Sequence, residues 1–283
     1  MVIAMKRTRA IDINGVRVGG DNPLALIAGP CVIESEDSAR CIAEELKRIA
    51  ADAGVPLVFK ASYDKANRSS VDSFRGLGMQ AGLSILNRIG RDFNLPVISD
   101  VHAVDQVAEA SDALDALQIP ALLCRQTDLL VEVGRCGKPV NVKKGQFMSP
   151  AEMANAVAKV TSTGNEQVLV TERGTTFGYN NLVVDMRGLQ IMRETGCPVV
   201  FDGTHSVQQP GGLGDRSGGA REFVPVLCRA AVAAGCDAVF LEVHDKPDEA
   251  KCDGPNMLAM PQLHPLLIVL KELDRAARLQ RLE

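Results

Sequence analysis

The chain has 283 residues, of which 46% are hydrophobic and 4% aromatic, and its 31 basic and 35 acidic residues give a formal net charge of −4. This length suits one α/β barrel domain, which we predict over residues 1–283, and the acidic balance and scarce aromatic residues argue against a nucleic-acid-binding surface. No apolar run reaches the roughly 18 residues of a membrane span, and the apolar N-terminal stretch is too short for a secretory signal. Eight dispersed cysteines without a C-x-x-C motif favour a cytoplasmic protein.

The first predicted element is a β-hairpin at about residues 10–20. Asn14 and Gly15 supply its turn, because these residue types accept the positive φ angles of two-residue hairpin turns. Apolar residues alternate with polar ones on either side, as a strand with one buried face requires. We expect this hairpin to cap one end of the domain that follows.

Eight short apolar runs follow, and each stops on polar residues. In chain order they are Leu24–Cys31, Leu57–Lys60, Val97–His102, Ala116–Gln118, Val140–Lys143, Val168–Arg173, Val199–His205 and Ala238–His244. Segments of helical period lie between most of them. This alternation predicts a (β/α)8 TIM barrel, in which the chemistry lies at the C-terminal strand ends and the hairpin would cap the opposite end.

Three of the intervening helices have recognisable ends. One begins at about Ser35 and stops at Gly54. A second opens on Ser149 and Glu152, whose spacing predicts a capping box. The last predicted helix runs from Pro261 to about Leu279 and is amphipathic.

Cationic side chains close three of the predicted strands. Lys60, Lys143 and Arg173 end strands two, five and six, so we expect them to converge over the barrel mouth. Phosphate and carboxylate groups need several fixed cations, and Arg provides bidentate contacts. The loop after strand two carries a second cluster of residues suited to binding phosphate. Two such clusters suggest two phosphorylated substrates. The alternative for any single Lys or Arg is a solvated surface charge. That cluster comprises Lys65, Asn67, Arg68 and Ser69.

Possible metal ligands close three other strands. Cys31, His205 and Glu242 end strands one, seven and eight, which become neighbours when a barrel closes, and Asp253 follows strand eight. Thiolate, imidazole and carboxylate groups together suit a first-row divalent ion. No local motif such as H-E-x-x-H supports this interpretation, and the other seven cysteines are expected to be small buried apolar residues.

Several segments together resemble the 3-deoxy-D-manno-octulosonate 8-phosphate synthase family from about residue 11 to 274. The discriminating segment is Lys65–Ser70, where the related 3-deoxy-D-arabino-heptulosonate 7-phosphate synthases have a Lys-Pro-Arg-Thr type of sequence. The segments that carry the resemblance are Gly29–Ser35, Phe59–Ser70, Arg125–Asp128, Asn141–Phe147, Phe177–Met186, Phe201–Gln208 and Cys252–Pro255.

The resemblance implies condensation of phosphoenolpyruvate with D-arabinose 5-phosphate and water, a step in lipopolysaccharide inner-core sugar biosynthesis. It implies a homotetramer in which Arg125 reaches a neighbouring active site. The implied catalytic residues are Lys60, Lys143, Arg173, His205 and Asp253, the first three of which hold phosphoenolpyruvate. The implied substrate-binding residues are Lys65, Asn67, Arg68, Ser69, Asp100, His102, Gln118, Arg125 and Gln146.

A metal is implied by one position of the same family. Members with Cys at the position of Cys31 bind a divalent ion, whereas members with Asn there need none. The implied ligands are Cys31, His205, Glu242 and Asp253, and the ion would be Zn, Fe, Mn or Co. The segment Cys252–Pro255 resembles the loop of the metal-free members, so we expect Cys31→Asn to retain partial activity.

Three other functions are compatible with parts of the pattern. A Schiff-base aldolase would use Lys60 or Lys143 as its nucleophile. A non-catalytic phosphosugar-binding barrel would keep the cations without the four metal ligands. A heptulosonate synthase would use erythrose 4-phosphate as its acceptor.

Overall fold

The structure is a computed structural model that describes residues 5–68, 70–176, 179–212 and 217–279. The first half contains β1 Ala10–Ile13, β2 Val16–Gly19, β3 Ala25–Gly29, α1 Glu36–Ala53, β4 Leu57–Lys60, α2 Met79–Phe93, β5 Val97–Asp100, α3 Val107–Ala113, β6 Ala116–Ile119, α4 Thr127–Arg135 and β7 Val140–Lys143. The second half contains α5 Met153–Thr161, β8 Val168–Glu172, β9 Thr175–Thr176, β10 Leu182–Val183, α6 Arg187–Arg193, β11 Val199–Asp202, β12 Gln208–Gln209, β13 Gly218–Gly219, α7 Val224–Ala234, β14 Ala238–His244, β15 Leu258–Ala259 and α8 Met260–Arg278. Short 3-10 turns occupy Val104–Gln106, Ala121–Leu123, Pro150–Glu152, His205–Val207, Arg221–Phe223, Pro247–Glu249 and Gly254–Asn256.

The predicted barrel is confirmed. Within the described ranges, eight parallel strands pair in the order β11-β8-β7-β6-β5-β4-β3-β14, and a further pairing of β11 with β14 closes the ring. A helix follows each of these strands and packs on the outside. All eight strands therefore direct their C-terminal ends to the same mouth.

Side chains alternate between the two faces of each barrel strand. One face packs against the surrounding helices, as Leu26 and Phe59 do. The other face fills the barrel, and its lower half is apolar. This inner cluster consists of Ala25, Ile27, Val58, Ile98, Ala116, Leu169, Val200, Ala238 and Phe240.

The N-terminal hairpin covers the bottom of the barrel, as predicted. Ile11, Ile13 and Val18 belong to the same apolar cluster as the barrel's inner residues. Gly15 adopts φ 92° in the turn and donates its backbone N–H to Asp12 Oδ1 at 2.7 Å. The hairpin thus removes the open end of the apolar interior from water.

The predicted helix ends agree closely with the observed ones. Ser35 caps α1 by accepting the Ser38 backbone N–H at 3.1 Å, and Gly54 ends the helix in the left-handed conformation. The capping box of Ser149 and Glu152 is present, although it opens a 3-10 turn before α5 begins. None of the described helices combines the length and apolarity that a membrane crossing needs.

The predicted strands are too long at several C-terminal ends. β3 stops at Gly29 and β11 at Asp202, so Cys31 and His205 lie beyond the strands rather than ending them. His102 and Arg173 likewise follow β5 and β8. The cause is that the chain leaves the hydrogen-bonded ladder to cross the barrel mouth, while its residues stay buried and keep a strand-like composition.

The hairpin is expected to contribute stability without touching the catalytic end. Ile13 is fully buried, so Ile13→Ala should lower the free energy of unfolding by about 2–5 kcal/mol. Ile191→Ala, at a residue that is 41% exposed on α6, is the matched control and should change it little. Denaturant unfolding measures both variants, and a change in substrate KM with Ile13→Ala would contradict this assignment.

Candidate active site

The inner face of the barrel changes from apolar to polar near the mouth. On five of the barrel strands, the residue two positions beyond an apolar inner residue carries a charged or amide side chain on the same strand face. Phe240 forms the floor of this polar layer, with Lys143 Nζ 3.4 Å and Lys60 Nζ 5.5 Å from its ring centroid. The polar layer comprises Lys60, Asp100, Gln118, Lys143, Asp202 and Glu242.

Lys60 is held by two oxygens at the junction of the first and last barrel strands. Its Nζ donates to Glu242 Oε1 at 2.8 Å and to the Cys31 carbonyl at 2.9 Å. Lys65 Nζ lies 3.7 Å from the same Glu242 oxygen. Burial raises the pKa of Glu242, but Lys60 and His205 outweigh burial and hold that pKa well below its ordinary value. Glu242 is therefore a buried carboxylate paired with Lys60.

Gly29 sets the spacing between β3 and β4 beside this pair. A Cβ at this position would lie 1.8 Å from the Lys60 carbonyl oxygen, so no other residue fits without moving a strand. This close approach brings the Cys31 carbonyl within reach of Lys60 Nζ.

Lys143 has a carboxylate partner of its own. Its Nζ donates to Asp202 Oδ2, and both side chains are buried. Burial lowers the pKa of Lys143, an effect that Asp202 opposes and the nearby Lys60 charge reinforces. Burial also raises the pKa of Asp202, but His205 and Lys143 hold it well below its ordinary value. Asp202 was among the strand-end residues in the sequence, yet its spacing gave no sign of this role.

Arg173 keeps part of its guanidinium available. Its Nη2 donates to Gln208 Oε1 at 2.9 Å, whereas the buried Nη1 has no hydrogen-bond partner among the described residues. Gln208 in turn donates to Asp253 Oδ1 at 3.4 Å. An unsatisfied buried donor is costly unless a ligand accepts from it, so Nη1 points to an anion.

The loop after β4 reaches the same cavity. Lys65, Asn67 and Arg68 line it together with Lys60, Lys143 and Arg173. Arg68 Nη1 lies 2.7 Å from Cys252 Sγ, and its buried Nε has no partner in the described part of the chain. Ser69, the remaining member of this predicted cluster, lies outside the described residues.

Three more of the predicted residues, Asp100, Gln118 and Gln146, line the same cavity. Asp100 accepts from Ser62 Oγ and lies 3.0 Å from His102 Nε2. Burial raises the pKa of Asp100, but His102 and Lys65 hold it well below its ordinary value.

Two predicted substrate-binding residues do not line the cavity. His102 lies behind Asp100, where it orients that carboxylate. Arg125 is exposed, and only its backbone carbonyl has a described partner, Lys159 Nζ at 2.8 Å.

The four predicted metal ligands meet at the edge of the cavity in two overlapping groups. His205, Glu242 and Asp253 have ligand atoms within 4.8 Å of one another, as do Cys31, Cys252 and Asp253, so Asp253 belongs to both groups. Cys31 Sγ lies 3.4 Å from Asp253 Oδ2, and His205 Nε2 lies 3.7 Å from Glu242 Oε2.

These separations fit a metal ion. Bonds of about 2.0–2.3 Å in a tetrahedral site place neighbouring ligand atoms roughly 3.3–3.8 Å apart. Glu242 Oε2 is buried and lacks a hydrogen-bond partner among the described residues, because Lys60 occupies the other oxygen. Asp202 Oδ2 lies 2.8 Å from His205 Nδ1, which directs Nε2 towards the free carboxylate oxygen.

One known protein family matches nearly the whole chain. The family model described as the DAHP synthetase I family matches residues 3–278. The chain belongs to the DAHP synthetase I family. The eight barrel strands and all the cavity-lining residues lie within the part that the family model matches.

Close relatives within the DAHP synthetase I family carry one name, 2-dehydro-3-deoxyphosphooctonate aldolase. The protein of that name from Geobacter sulfurreducens is 60% identical over 267 residues, which cover 94% of this chain and 98% of the relative. The one from Pelobacter propionicus is 56% identical over 96% of this chain and 100% of the relative. The one from Desulfatibacillum aliphaticivorans is 60% identical over 93% and 97%. The name denotes the eight-carbon product of the predicted synthase, so the resemblance seen in the sequence is confirmed.

Cys252 is buried in a small apolar cluster with Cys31, Val32 and Met257, as expected for a cysteine of this chain. Its Sγ also lies 3.1 Å from Cys31 Sγ at the cavity edge, a contact that sequence reasoning did not predict. Cys41 departs from expectation, because it is exposed on α1. Asp253 was the signal that could have placed Cys252 near the site. Asp253 is a predicted ligand, and its φ of 50° marks a tight turn that keeps the preceding residue close by.

Proposed function

We propose that the chain condenses phosphoenolpyruvate with D-arabinose 5-phosphate and water, releasing phosphate and 3-deoxy-D-manno-octulosonate 8-phosphate. One observation carries the proposal: two groups of cations face a single cavity whose edge holds the potential metal ligands. The relatives' names support the eight-carbon product. Among the described residues, the cations that line the cavity are Lys60, Lys65, Arg68, Lys143 and Arg173.

Phosphoenolpyruvate binds against Lys60, Lys143 and Arg173. Lys60 and Lys143 each donate to a buried carboxylate, and the Nη1 of Arg173 has no hydrogen-bond partner among the described residues. Fixed cations in a water-poor site stabilise negative charge without reorganising, both on the bound substrate and as charge develops during the reaction. This is the role we assign to the three residues.

The sugar phosphate binds at the loop after β4. Arg68, Asn67 and Lys65 face the cavity from that loop, and Ser69 joins them on the resemblance of its sequence. Asp100, Gln118 and Gln146 line the same cavity, where their amide and carboxylate groups can accept hydrogen bonds from sugar hydroxyls. The two phosphates thus occupy separate ends of one cavity, with the reacting carbons between them.

The reaction forms one carbon–carbon bond and one carbon–oxygen bond, and it breaks the carbon–oxygen bond to the phosphate. C3 of phosphoenolpyruvate attacks the aldehyde carbon of the open-chain sugar, and the oxygen of water adds at C2. The bond between C2 and the phosphate oxygen then breaks, and inorganic phosphate leaves. His205 and Asp253 also line this cavity, and we assign them to orienting the aldehyde and the water.

Cys31, His205, Glu242 and Asp253 are the proposed ligands of a divalent ion such as Zn, Fe, Mn or Co. When bound, such an ion acts as a Lewis acid towards an oxygen of the aldehyde or of water. Burial and the adjacent Cys252 raise the pKa of Cys31 well above its ordinary value. The thiol therefore keeps its proton until a metal ion displaces it.

The same proposal extends to the organisation of the protein. We infer a single barrel domain over residues 1–283, a cytoplasmic location and a homotetramer. Lys159 fixes the backbone at Arg125 while the Arg125 side chain stays exposed, which suits a residue that completes a neighbouring subunit's site.

A Schiff-base aldolase is the competing chemistry. It needs a neutral lysine as nucleophile, but Lys60 and Lys143 each form an ion pair with a buried carboxylate. Each Nζ is therefore held as a hydrogen-bond donor to a carboxylate and is not free to attack a carbonyl group. Borohydride added with substrate should accordingly trap no covalent adduct, as mass spectrometry would show.

The acceptor is the property that decides the function. The purified enzyme is offered phosphoenolpyruvate with either arabinose 5-phosphate or erythrose 4-phosphate, and released phosphate is measured. We expect turnover with the five-carbon acceptor and little with the four-carbon one. Preference for erythrose 4-phosphate would establish the heptulosonate synthase instead, and no turnover with either would support a non-catalytic phosphosugar-binding barrel.

Arg68 is expected to set the affinity for the acceptor. Arg68→Ala removes a charge-assisted contact of roughly 1.5–3 kcal/mol, so the KM for arabinose 5-phosphate should rise about tenfold or more. The KM for phosphoenolpyruvate should change much less. Arg75→Ala is the matched control, because Arg75 follows on the same loop but pairs with Asp64 outside the cavity. Equal KM values for the sugar phosphate in wild type and Arg68→Ala would contradict the assignment.

Metal removal is expected to inactivate the enzyme. Exhaustive chelation should abolish or sharply lower turnover, and Zn, Fe, Mn or Co should restore it, whereas calcium should compete poorly for a site with a sulfur ligand. Metal content is measured in parallel by elemental analysis. Cys31→Asn should lose metal affinity yet keep partial activity. Full activity at a metal content near zero would overturn the metal assignment.

A further inference from the structure

A second pair of charged residues, Lys144 and Glu172, lies behind the proposed phosphoenolpyruvate site. Lys144 is fully buried and Glu172 is 2% exposed, and Lys144 Nζ lies 3.4 Å from Glu172 Oε1. Both side chains point away from the cavity, which they do not line. Each is the immediate sequence neighbour of a cation that does line it, Lys143 or Arg173.

The pair joins the ends of β7 and β8. Lys143 pairs with Thr171 across the two strands, and the Lys144 backbone N–H donates to the Thr171 carbonyl at 2.8 Å. Glu172 Oε1 then accepts the backbone N–H groups of Arg173 at 3.0 Å and Gly174 at 2.7 Å. One carboxylate oxygen therefore fixes the point at which the chain leaves β8.

Lys144 holds the loops that follow both strands. Its Nζ donates to Thr175 Oγ1 at 2.9 Å, to the Gly174 carbonyl at 3.4 Å and to the Met148 carbonyl at 3.3 Å. The Thr176 backbone N–H also donates to the Gln146 carbonyl at 2.8 Å, which ties the two loops together directly. A single ammonium group thus connects the loop after β7 with the loop after β8.

Stability does not account for this pair. A buried ion pair loses its hydration, and apolar residues of similar volume are often as stabilising or more so. Apolar side chains cannot, however, hold several backbone carbonyl and N–H groups in one arrangement. We propose that Lys144 and Glu172 form a positioning pair that aligns Lys143 and Arg173 for phosphoenolpyruvate, an inference that rests on the proposed function.

The decisive variant is Lys144→Met, which keeps the length of the side chain and removes the charge. The KM for phosphoenolpyruvate should rise about tenfold or more, with a lower kcat, because displacements near 1 Å can cost about a hundredfold in rate. The KM for arabinose 5-phosphate should change far less. Arg193→Met is the matched control, since Arg193 forms a fully buried ion pair with Asp237, 2.8 Å apart, beneath the N-terminal ends of the barrel strands. That control should lower the melting temperature and leave both KM values unchanged.

Glu172→Gln provides the second test if Lys144→Met does not fold. The amide oxygen can still accept from Arg173 and Gly174, but the charge that holds Lys144 is gone, so a smaller rise in the same KM is expected. Binding of phosphoenolpyruvate alone, measured by calorimetry, should weaken in parallel. A lower melting temperature with unchanged phosphoenolpyruvate binding, or equal changes for both substrates, would overturn the positioning role. If wild type turns over neither sugar phosphate, the proposed function fails, and calorimetry still decides whether the pair positions an anion site.

Discussion

The upper half of this barrel is governed by the need to pair charges that water does not reach. Lys60 and Lys143 each lie against a carboxylate from a different strand, and both stand over the ring of Phe240. Burial of a lone ammonium group would be costly, so Glu242 and Asp202 are what allow two cations to exist at this depth. Arg173 also lines the cavity, and its Nη1 has no hydrogen-bond partner among the described residues, so this N–H remains for an anionic ligand.

The proposed metal ligands come from opposite ends of the chain. Cys31 follows the first barrel strand, whereas Glu242 belongs to the last, and Asp253 lies 222 residues from the thiol that it contacts. They meet only because β3 pairs with β14. A partly formed barrel lacks that pairing, so the site cannot assemble before the ring closes. Ion binding, which acts only on the closed state, would in turn stabilise closure.

Sequence reasoning succeeded where a periodic pattern carried the information. Apolar runs that alternate with helical segments predicted the barrel, and cations at strand ends predicted the side of the cavity that Lys60 and Arg173 occupy. Sequence reasoning failed where the spacing of residues along the chain could not show which side chains contact each other. The pairing of Asp202 with Lys143 depends on strand curvature, and the position of Cys252 depends on a turn that brings it against Cys31. The strands were also predicted to be too long. Residues just beyond a strand, such as Cys31 and Arg173, are buried, so burial alone does not mark where the strand ends.

Phe240 belongs to two parts of the molecule at once. Its ring packs with the apolar plug that includes Ile13 and Val18, and its upper face carries Lys143. Elsewhere in the barrel, residues that stabilise the fold and residues that face the cavity are different ones, so selection or engineering can change them separately. At Phe240 they cannot be separated: a smaller side chain would open a void below and lower the support of a substrate-facing cation above. Variation at this position is therefore constrained from both directions.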